Sequence, residues 1–437
     1  MPRKRKHNSL GVFLNTRRIG TLHKENSGAI RFTYDTDWLQ WEHALPVSLS
    51  LPLSEDAYTG NGVLAVFENL LPDNEHVRNR VASKFQADGV DPYSLLAAIG
   101  RDCVGALQFL ENDDLPDSTN TVNGVALNDQ EIARMLKSLS KNPLGLSSDD
   151  DFRISIAGAQ EKTALHKDGN RWLLPQGTTP TTHIFKTQIG QLSNGLDLTN
   201  SVENEFLCLN LVRRYGLPVA DATIECFDGE TALVVERFDR KKLDTNQQLV
   251  RVPQEDCCQA LSYLSNQKYQ RDGGPGIEEI MSLLLGSDDP AGDRHIFFKA
   301  QVLFWLLGAT DGHAKNFSVT LFPQGRFKMT PLYDILTLQP SVDGSQVRHN
   351  EFKMAMCVGS SNKYHVNKIS GRHFLHTGNK CGLSTPAINA IFDELMDTTP
   401  AVLNNITDGL PDNFPAELVD SITGGILHRL PRLSAPE

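Results

Sequence analysis

A few residues stand out for the chemistry they could share. Asp311 and Asn316, in Thr310-Asp311-Gly312-His313-Ala314-Lys315-Asn316-Phe317-Ser318, have a D-x-x-x-x-N spacing that serves phosphoryl transfer when it sits on a loop. A carboxylate at the end of a rigid helix can orient a substrate hydroxyl and take its proton. An amide oxygen further round the loop can reach a metal ion. Asp334, in Pro331-Leu332-Tyr333-Asp334-Ile335, ends the next apolar run and offers a second carboxylate for a Mg²⁺ bridging phosphates. Lys186 ends the β-like run His183-Ile184-Phe185-Lys186, so its stem can pack while its ammonium meets a phosphate as a point charge. Asp and Asn are also common in ordinary turns. The apolar helix before Asp311 and the carboxylate after Asn316 are what favour the chemical reading.

A strand lysine of this kind needs an acidic partner. Glu203 and Glu205 both lie on the following helical run, and residues two apart do not share a helix face. Glu205 is favoured by its spacing from Lys186, and Glu203 reads as solvated. The expected phosphate loop is irregular: no G-x-G-x-x-G precedes Lys186 and no G-x-x-x-x-G-K-[ST] exists. In their place Ser155-Ile156-Ala157-Gly158-Ala159-Gln160-Glu161-Lys162-Thr163 offers small residues that let backbone N–H groups approach phosphates. With one glycine it also suits an ordinary hairpin turn. Glu236-Arg237-Phe238, after the run Ala232–Val235, stands where a kinase hinge would meet adenine with its backbone. His313 could orient Asp311, touch a phosphate or bond locally. Lys315 could stabilise a transferred phosphoryl group or simply be solvated.

The elements that must hold these residues can be read from pattern. Residues 10–53 alternate in short bursts and predict a β-meander. Residues 63–85 read as helix, broken at Pro72-Asp73 and restarting at Asn74. Asp91-Pro92 opens another helix over Tyr93–Ile99. Residues 111–151 are acidic and broken, with one candidate helix at Asp129–Leu139, and read as a connector. Strand-like runs follow at Phe152–Ile156, Thr163–His166, Trp172–Leu174, His183–Lys186 and Ala232–Val235, with an amphipathic helix over Asn200–Tyr215. Beyond 253 the chain reads as mostly helical. Its helix Ile296–Leu307 is apolar nearly all round and so should be internal. The expected division is a 1–110 N-terminal module, a 111–151 connector, a 152–252 strand-rich ATP-binding lobe and a 253–437 helical catalytic lobe, an α+β bilobed fold.

Composition bounds the rest. The 437 residues are 40% hydrophobic and 22% charged with net charge −11, which excludes disordered and collagenous classes and a generally basic nucleic-acid coat. Seven cysteines without a C-x-x-C pair argue against a disulfide framework or a four-cysteine zinc site. Cys257-Cys258, Met354 and Met356 read as core. With no secretory pattern and no long apolar run, the expected protein is soluble and cytoplasmic.

Several long segments together resemble the HipA family of bacterial serine/threonine kinase toxins. They are Phe152–Thr163, Thr181–Lys186, Val235–Arg240 and Ala309–Ser318, joined by Asn69-Leu70-Leu71-Pro72-Asp73, Ile99-Gly100-Arg101-Asp102 and Asp272–Gly276. They occur in the family's order from about Leu10 to Leu430. The resemblance implies a kinase-like fold with an added N-terminal domain, use of ATP and Mg²⁺, and phosphorylation of glutamyl-tRNA synthetase leading to persistence. It also implies neutralisation by a HipB-like helix-turn-helix antitoxin, with which the kinase represses its operon on DNA. Carried over residue by residue, Asp311 would be the catalytic base. Asn316 and Asp334 would hold Mg²⁺, and Lys186 the ATP phosphates. Ala157, Gly158, Ala159, Gln160, Glu161 and Lys162 would form the phosphate loop, and Glu236–Phe238 the hinge. Ser155 matches the family's autophosphorylated serine. A phosphate there, carrying about −1.5 to −2 charge, would repel those of ATP and eject the loop.

Between 341 and 385 lie six Lys or Arg, four His and two acids. This stretch could help a complex grip DNA by releasing counterions. It shows no obvious reading helix, so sequence specificity would come from a partner. Lys368 and Arg372 are the candidate DNA contacts, with a solvated basic face as the alternative. Two rival functions remain: a small-molecule phosphotransferase using the same Asp/Asn/Asp set, and a pseudokinase co-repressor indifferent to loss of Asp311.

Overall fold

The computed structural model describes residues 8–111, 114–116, 122–139, 160–192, 195–243 and 248–434. The strand expected at Phe152–Ile156, Ser155, and the loop residues Ala157, Gly158 and Ala159 lie outside the described residues. Among the described residues no helix is long and apolar enough to cross a membrane.

Strands Ser9–Leu14, Arg17–Lys24 and Ile30–Tyr34 form the start of the meander. Alternation stops at Tyr34, and the sheet is completed by Tyr58–Thr59 at one edge and Leu107–Glu111 at the other. Helices Asn61–Glu68, Glu75–Lys84 and Pro92–Ile99 cover it. Two of them start as the sequence indicates: the Asn74 side chain accepts from the His76 N–H, and Asp91 accepts from the Ser94 N–H with Pro92 at the first turn. Phe32, Phe67 and Phe109 meet in the core with ring centroids 5.6 Å apart.

The second sheet has six strands in the order Ala222–Phe227, Glu230–Glu236, His183–Thr187, Lys162–Asp168, Arg171–Pro175 and Gly124–Leu127. The last strand corrects the expected connector. Residues 124–127 pair with Leu174 and its neighbours as an edge strand. Helix Asp129–Ser138, started by a capping box between Asn128 and Glu131, packs Ile132 and Leu136 among Leu165, Phe185 and Val234. The helix stands where the pattern placed it; what the acidic runs on either side concealed is its packing on the sheet lobe. Helix Ser201–Arg214 is also less one-sided than its pattern suggested. Leu207, Cys208 and Leu211 are buried along with Val202, Phe206, Leu209 and Val212.

In the third part Pro290–Leu307 is the central helix, begun by Asp289, whose side chain accepts from the Gly292 N–H, and ended by Gly308 at φ 71°. A Cβ on Gly308 would come 2.7 Å from the Phe352 ring, so both the turn and the packing require glycine there. Around this helix lie Thr385–Asn404, Ala416–Arg429 and Gly371–Lys380. The region is not purely helical. Gln254–Asp256, Ser318–Leu321 and Phe327–Met329 form a three-stranded sheet, and Lys353–Val358 pairs with Lys363–His365. Cys257, Cys258, Met354 and Met356 are buried core.

Candidate active site

The sheet lobe and the helical part enclose a cleft of about 710 Å³, within the usual range for small-molecule sites. Lys162 and Lys186 face each other across antiparallel strands, so both ammonium groups rise from one sheet face. Lys186 Nζ donates to Glu205 Oε1 at 2.7 Å and to Asp334 Oδ1 at 2.6 Å. Glu203 instead accepts from Gln188 Nε2, so the helix chooses Glu205 as the lysine's partner.

This triad sets its own charges. Burial disfavours the Lys186 ammonium, but Asp334 and Glu205 overrule it and hold its pKa above the usual value. Burial pushes Asp334 up, yet Lys186 and Lys162 hold its carboxyl well below the carboxylate range. Burial raises Glu205, with Lys186 opposing. For Lys162 burial dominates: helped by the repulsion of Lys186 and only partly opposed by Asp334, Glu205 and Asp73, it lowers the pKa to about 8. Asp334 takes a left-handed backbone, φ 59°. That conformation costs an L-residue energy and is found where a side chain must be aimed; here it turns the carboxylate onto Lys186.

Across the cleft, the loop after Gly308 is wound tightly. Asn316 Nδ2 donates to the Asp311 carbonyl at 2.7 Å, and the Asp311 carbonyl also accepts from the His313 N–H. The Asp311 carboxylate accepts a hydrogen bond from the Tyr269 hydroxyl. His313 is 5% exposed and stands edge-on to the Tyr269 ring. Burial lowers its pKa, and its Nδ1 has no hydrogen-bond partner among the described residues.

Lys315 is not solvated. Its ammonium is buried against Asp73 Oδ1 at 2.6 Å, and Lys268 holds Asp73 Oδ2 at 2.8 Å. Asp73, Lys268 and Tyr269 are therefore site residues that sequence reasoning missed. The only signal was that Asn69–Asp73 belongs to one of the unusual motifs.

The remaining expected nucleotide contacts divide. Gln160, Glu161 and Lys162 line the cleft; the Gln160 amide donates to the Thr187 carbonyl and Glu161 pairs with Arg80. Glu236, Arg237 and Phe238 also line it, but Arg237 is corrected as a backbone hinge. Its N–H donates to the Thr182 carbonyl and its own carbonyl accepts from the Arg240 N–H. The Glu236 N–H donates to the Asp221 carbonyl. Among the described residues these bonds occupy the Glu236 N–H and both backbone groups of Arg237. The Arg237 guanidinium serves a buried cluster with Asp239, Arg240, Arg251 and Asp102.

The residues present fit Mg²⁺. Among the described residues no group of three or more His, Cys, Asp or Glu could hold a metal. Mg²⁺ instead takes one or two protein oxygens and completes its shell with phosphates and water. Asp334 is ionised with its side chain 36% exposed. The Asn316 nitrogen donates to the Asp311 carbonyl, so its amide oxygen is the atom with which it would meet such an ion.

Lys368 and Arg372 are exposed, outside this cleft, on the turn Val366–Lys368 and on helix Gly371–Lys380. That helix lies inside the basic stretch in which the sequence shows no obvious reading helix. Its glycines and Thr377 are weak helix formers, and packing of Phe374 and Thr377 stabilises it.

A sheet lobe carrying a lysine–glutamate pair, a cleft, a D-x-x-x-x-N loop beyond it and an acid after the next strand define a bilobed kinase-like phosphotransferase. Residues 10–110 match the HipA N-terminal domain model and 154–403 the HipA-like C-terminal domain model; the chain belongs to the HipA family. It is 32% identical to Y4mE of Sinorhizobium fredii over 416 residues, 93% of each chain. It is 28% identical to the serine/threonine-protein kinase toxin HipA of Shewanella oneidensis, over 77% of this chain and 74% of that one. The structure of Shewanella oneidensis HipA in complex with HipB and operator DNA has the same fold, with a TM-score of 0.79 at 23% identity, covering 97% of this chain and 98% of that one.

Proposed function

We propose that this chain is an ATP- and Mg²⁺-dependent protein serine/threonine kinase and the toxin of a toxin–antitoxin pair. The observation that carries the reading is the Lys186–Glu205–Asp334 triad facing Asp311 and Asn316 in one cleft. Asp311 takes the proton of an acceptor serine hydroxyl as its oxygen bonds to the γ-phosphorus and the bond to the β-bridging oxygen breaks, leaving ADP. Lys186, kept charged by two carboxylates, binds phosphate oxygens. Asp334 and Asn316 hold Mg²⁺, which when bound supplies neutralisation of the phosphate charge. Lys162, Gln160 and Glu161 continue into the phosphate loop with Ala157, Gly158 and Ala159. His313 contributes an uncharged ring beside Asp311, and Lys315 a fixed ammonium.

The same reading assigns Ser155 as the autophosphorylation switch, glutamyl-tRNA synthetase as the substrate, and a HipB-like antitoxin as the partner through which operator DNA is reached, with Lys368 and Arg372 near that DNA. The toxin HipA relative and the antitoxin–DNA complex of the similar fold support it. The test is incubation with labelled ATP, Mg²⁺ and glutamyl-tRNA synthetase, followed by phosphosite mapping in the parent and Ser155→Ala proteins. The expected result is phosphoserine on the synthetase, and at Ser155 in the parent alone. Label on metabolites and on no protein would instead support the small-molecule phosphotransferase.

A further inference from the structure

We propose that Asp73, a residue of the N-terminal module, is a positioning residue of the phosphotransfer site, holding Lys315 and Lys268 away from Asp311; the proposal rests on the kinase reading above. Asp73 follows Pro72 in the segment between two helices, and its side chain is 10% exposed. Its two oxygens are divided, Oδ1 to Lys315 at 2.6 Å and Oδ2 to Lys268 at 2.8 Å. The Asn69 carbonyl, from the same segment, lies 3.4 Å from the Lys315 ammonium. Asn69 is itself fixed by donating to the Tyr263 carbonyl at 2.8 Å.

Both lysines belong to the machinery around the proposed base. Lys315 lies on the Asp311–Asn316 loop. Lys268 precedes Tyr269, whose hydroxyl meets the Asp311 carboxylate, and the Lys268 carbonyl accepts from the Ala314 N–H. One carboxylate from outside the kinase-like lobes therefore pins both segments that flank Asp311. Two cations share one anion, so one positive charge is left over in the cleft wall.

The alternative is a simple clamp between modules. That role is already filled elsewhere, by the Asp102 cluster and by Glu255, which accepts from the Leu49 N–H at 2.7 Å. Without the Asp73 charge, Lys315 would keep only the Asn69 carbonyl among the described residues, and Asp311, Asp334 and Asp256 are among the carboxylates left in the cleft lining. An ammonium turned onto Asp311 would occupy the oxygen that must accept the substrate proton.

The test compares the full-length parent with Asp73→Asn, Asp73→Glu, Lys315→Met and the Asp73→Asn/Lys315→Met double variant. Asp73→Asn keeps the shape and removes the charge. It is expected to lower kcat by roughly 10- to 100-fold, the effect of misplacing a group by about an ångström, with KM for ATP within about threefold. Asp73→Glu, which keeps the charge on a longer stem, is expected to recover part of the rate. In the Lys315→Met background Asp73→Asn should cost little more, because the residue acts through that lysine. Amine-selective labelling of the nucleotide-free proteins, read by mass spectrometry, should rise several-fold at Lys315 in Asp73→Asn. This readout needs no catalysis, so unchanged labelling overturns the proposal whether or not the protein is a kinase. A parent-like kcat in Asp73→Asn, or losses that multiply in the double variant, overturns it too. Should Asp73→Asn fail to fold, Asp73→Glu carries the comparison. Intermediate kcat and labelling are then expected, and raised labelling at a parent-like kcat refutes it.

Discussion

Replacing Asp102 by Asn should separate the N-terminal module from the sheet lobe more than any surface change could. Asp102 is 1% exposed. Oδ1 accepts from Arg240 and Arg251 at 2.9 Å each, and Oδ2 accepts from the Thr181 N–H and hydroxyl at 3.0 and 2.7 Å. Asp239 is the cluster's other anion, bonding Arg237 at 2.7 Å and Arg240 at 3.0 Å. Three buried guanidiniums thus share two carboxylates. Burial pushes Asp102 up, but the three arginines hold it well below the usual range. Burial already drives Arg240 down to about 10. The Asn variant keeps shape and an acceptor but leaves three cations with one anion. Removing one partner of a buried pair costs about 3–5 kcal/mol. At ~1.4 kcal/mol per decade, the separated state should rise by roughly two to three and a half orders of magnitude. Urea unfolding followed by tryptophan fluorescence reads this, since Trp38 and Trp41 report the N-terminal module. The loss should persist at high salt, because buried charges are poorly screened. A loss below about 1 kcal/mol, or one that salt abolishes, would refute the reasoning.

Further outcomes follow from single contacts. Burial raises Glu255 from 4.5 to about 8, so the folded protein keeps a proton that the unfolded chain has released across that window, and stability from this group falls as pH rises through it. Glu255→Gln keeps the acceptor for the Leu49 N–H, and its melting point should gain on the parent from pH 5 to 8; a parent-like slope counts against the assignment. Tyr269→Phe frees the Asp311 carboxylate from a hydroxyl that an incoming substrate must displace. A hydrogen bond to a charged group is worth about 1.5–3 kcal/mol, so kcat/KM for a protein acceptor should rise by about ten- to a hundredfold. A tenfold fall would make Tyr269 an orienting group instead. Glu205→Gln removes one of the two carboxylates that hold Lys186, and KM for ATP should rise by about tenfold or more; an unchanged KM would show that Asp334 alone suffices.

Much of the cleft was legible because its members sit next to strong local signals. Lys186 ends an apolar strand, Asp311 follows a helix with no polar face, and Asp334 closes the next run. Helical geometry allows only one of Glu203 and Glu205 to face the strand, and the spacing from Lys186 favours Glu205. What stayed hidden depends on contacts between distant segments. Nothing near Asp73 marks it as the partner of Lys315, and nothing near Arg237 marks its side chain as a companion of Asp102. The Val235–Arg240 segment was read for its backbone, whereas most of its charged side chains are committed to the interface between modules. The edge strand Gly124–Leu127 was hidden for a different reason. It is short and largely exposed, so it lacks the alternation that burial imposes.

The central claim is that Asp311 serves as the base in phosphoryl transfer to a serine. The most direct measurement is single-turnover transfer from γ-labelled ATP with Mg²⁺ to protein serine, comparing the parent with Asp311→Asn at equal folded concentration. The account expects phosphoserine from the parent and a rate lower by at least about a hundredfold in the variant, within the 10²–10⁴ range for a general base, with ATP still bound. Equal rates from the two proteins, or no phosphoserine from the parent, would contradict it.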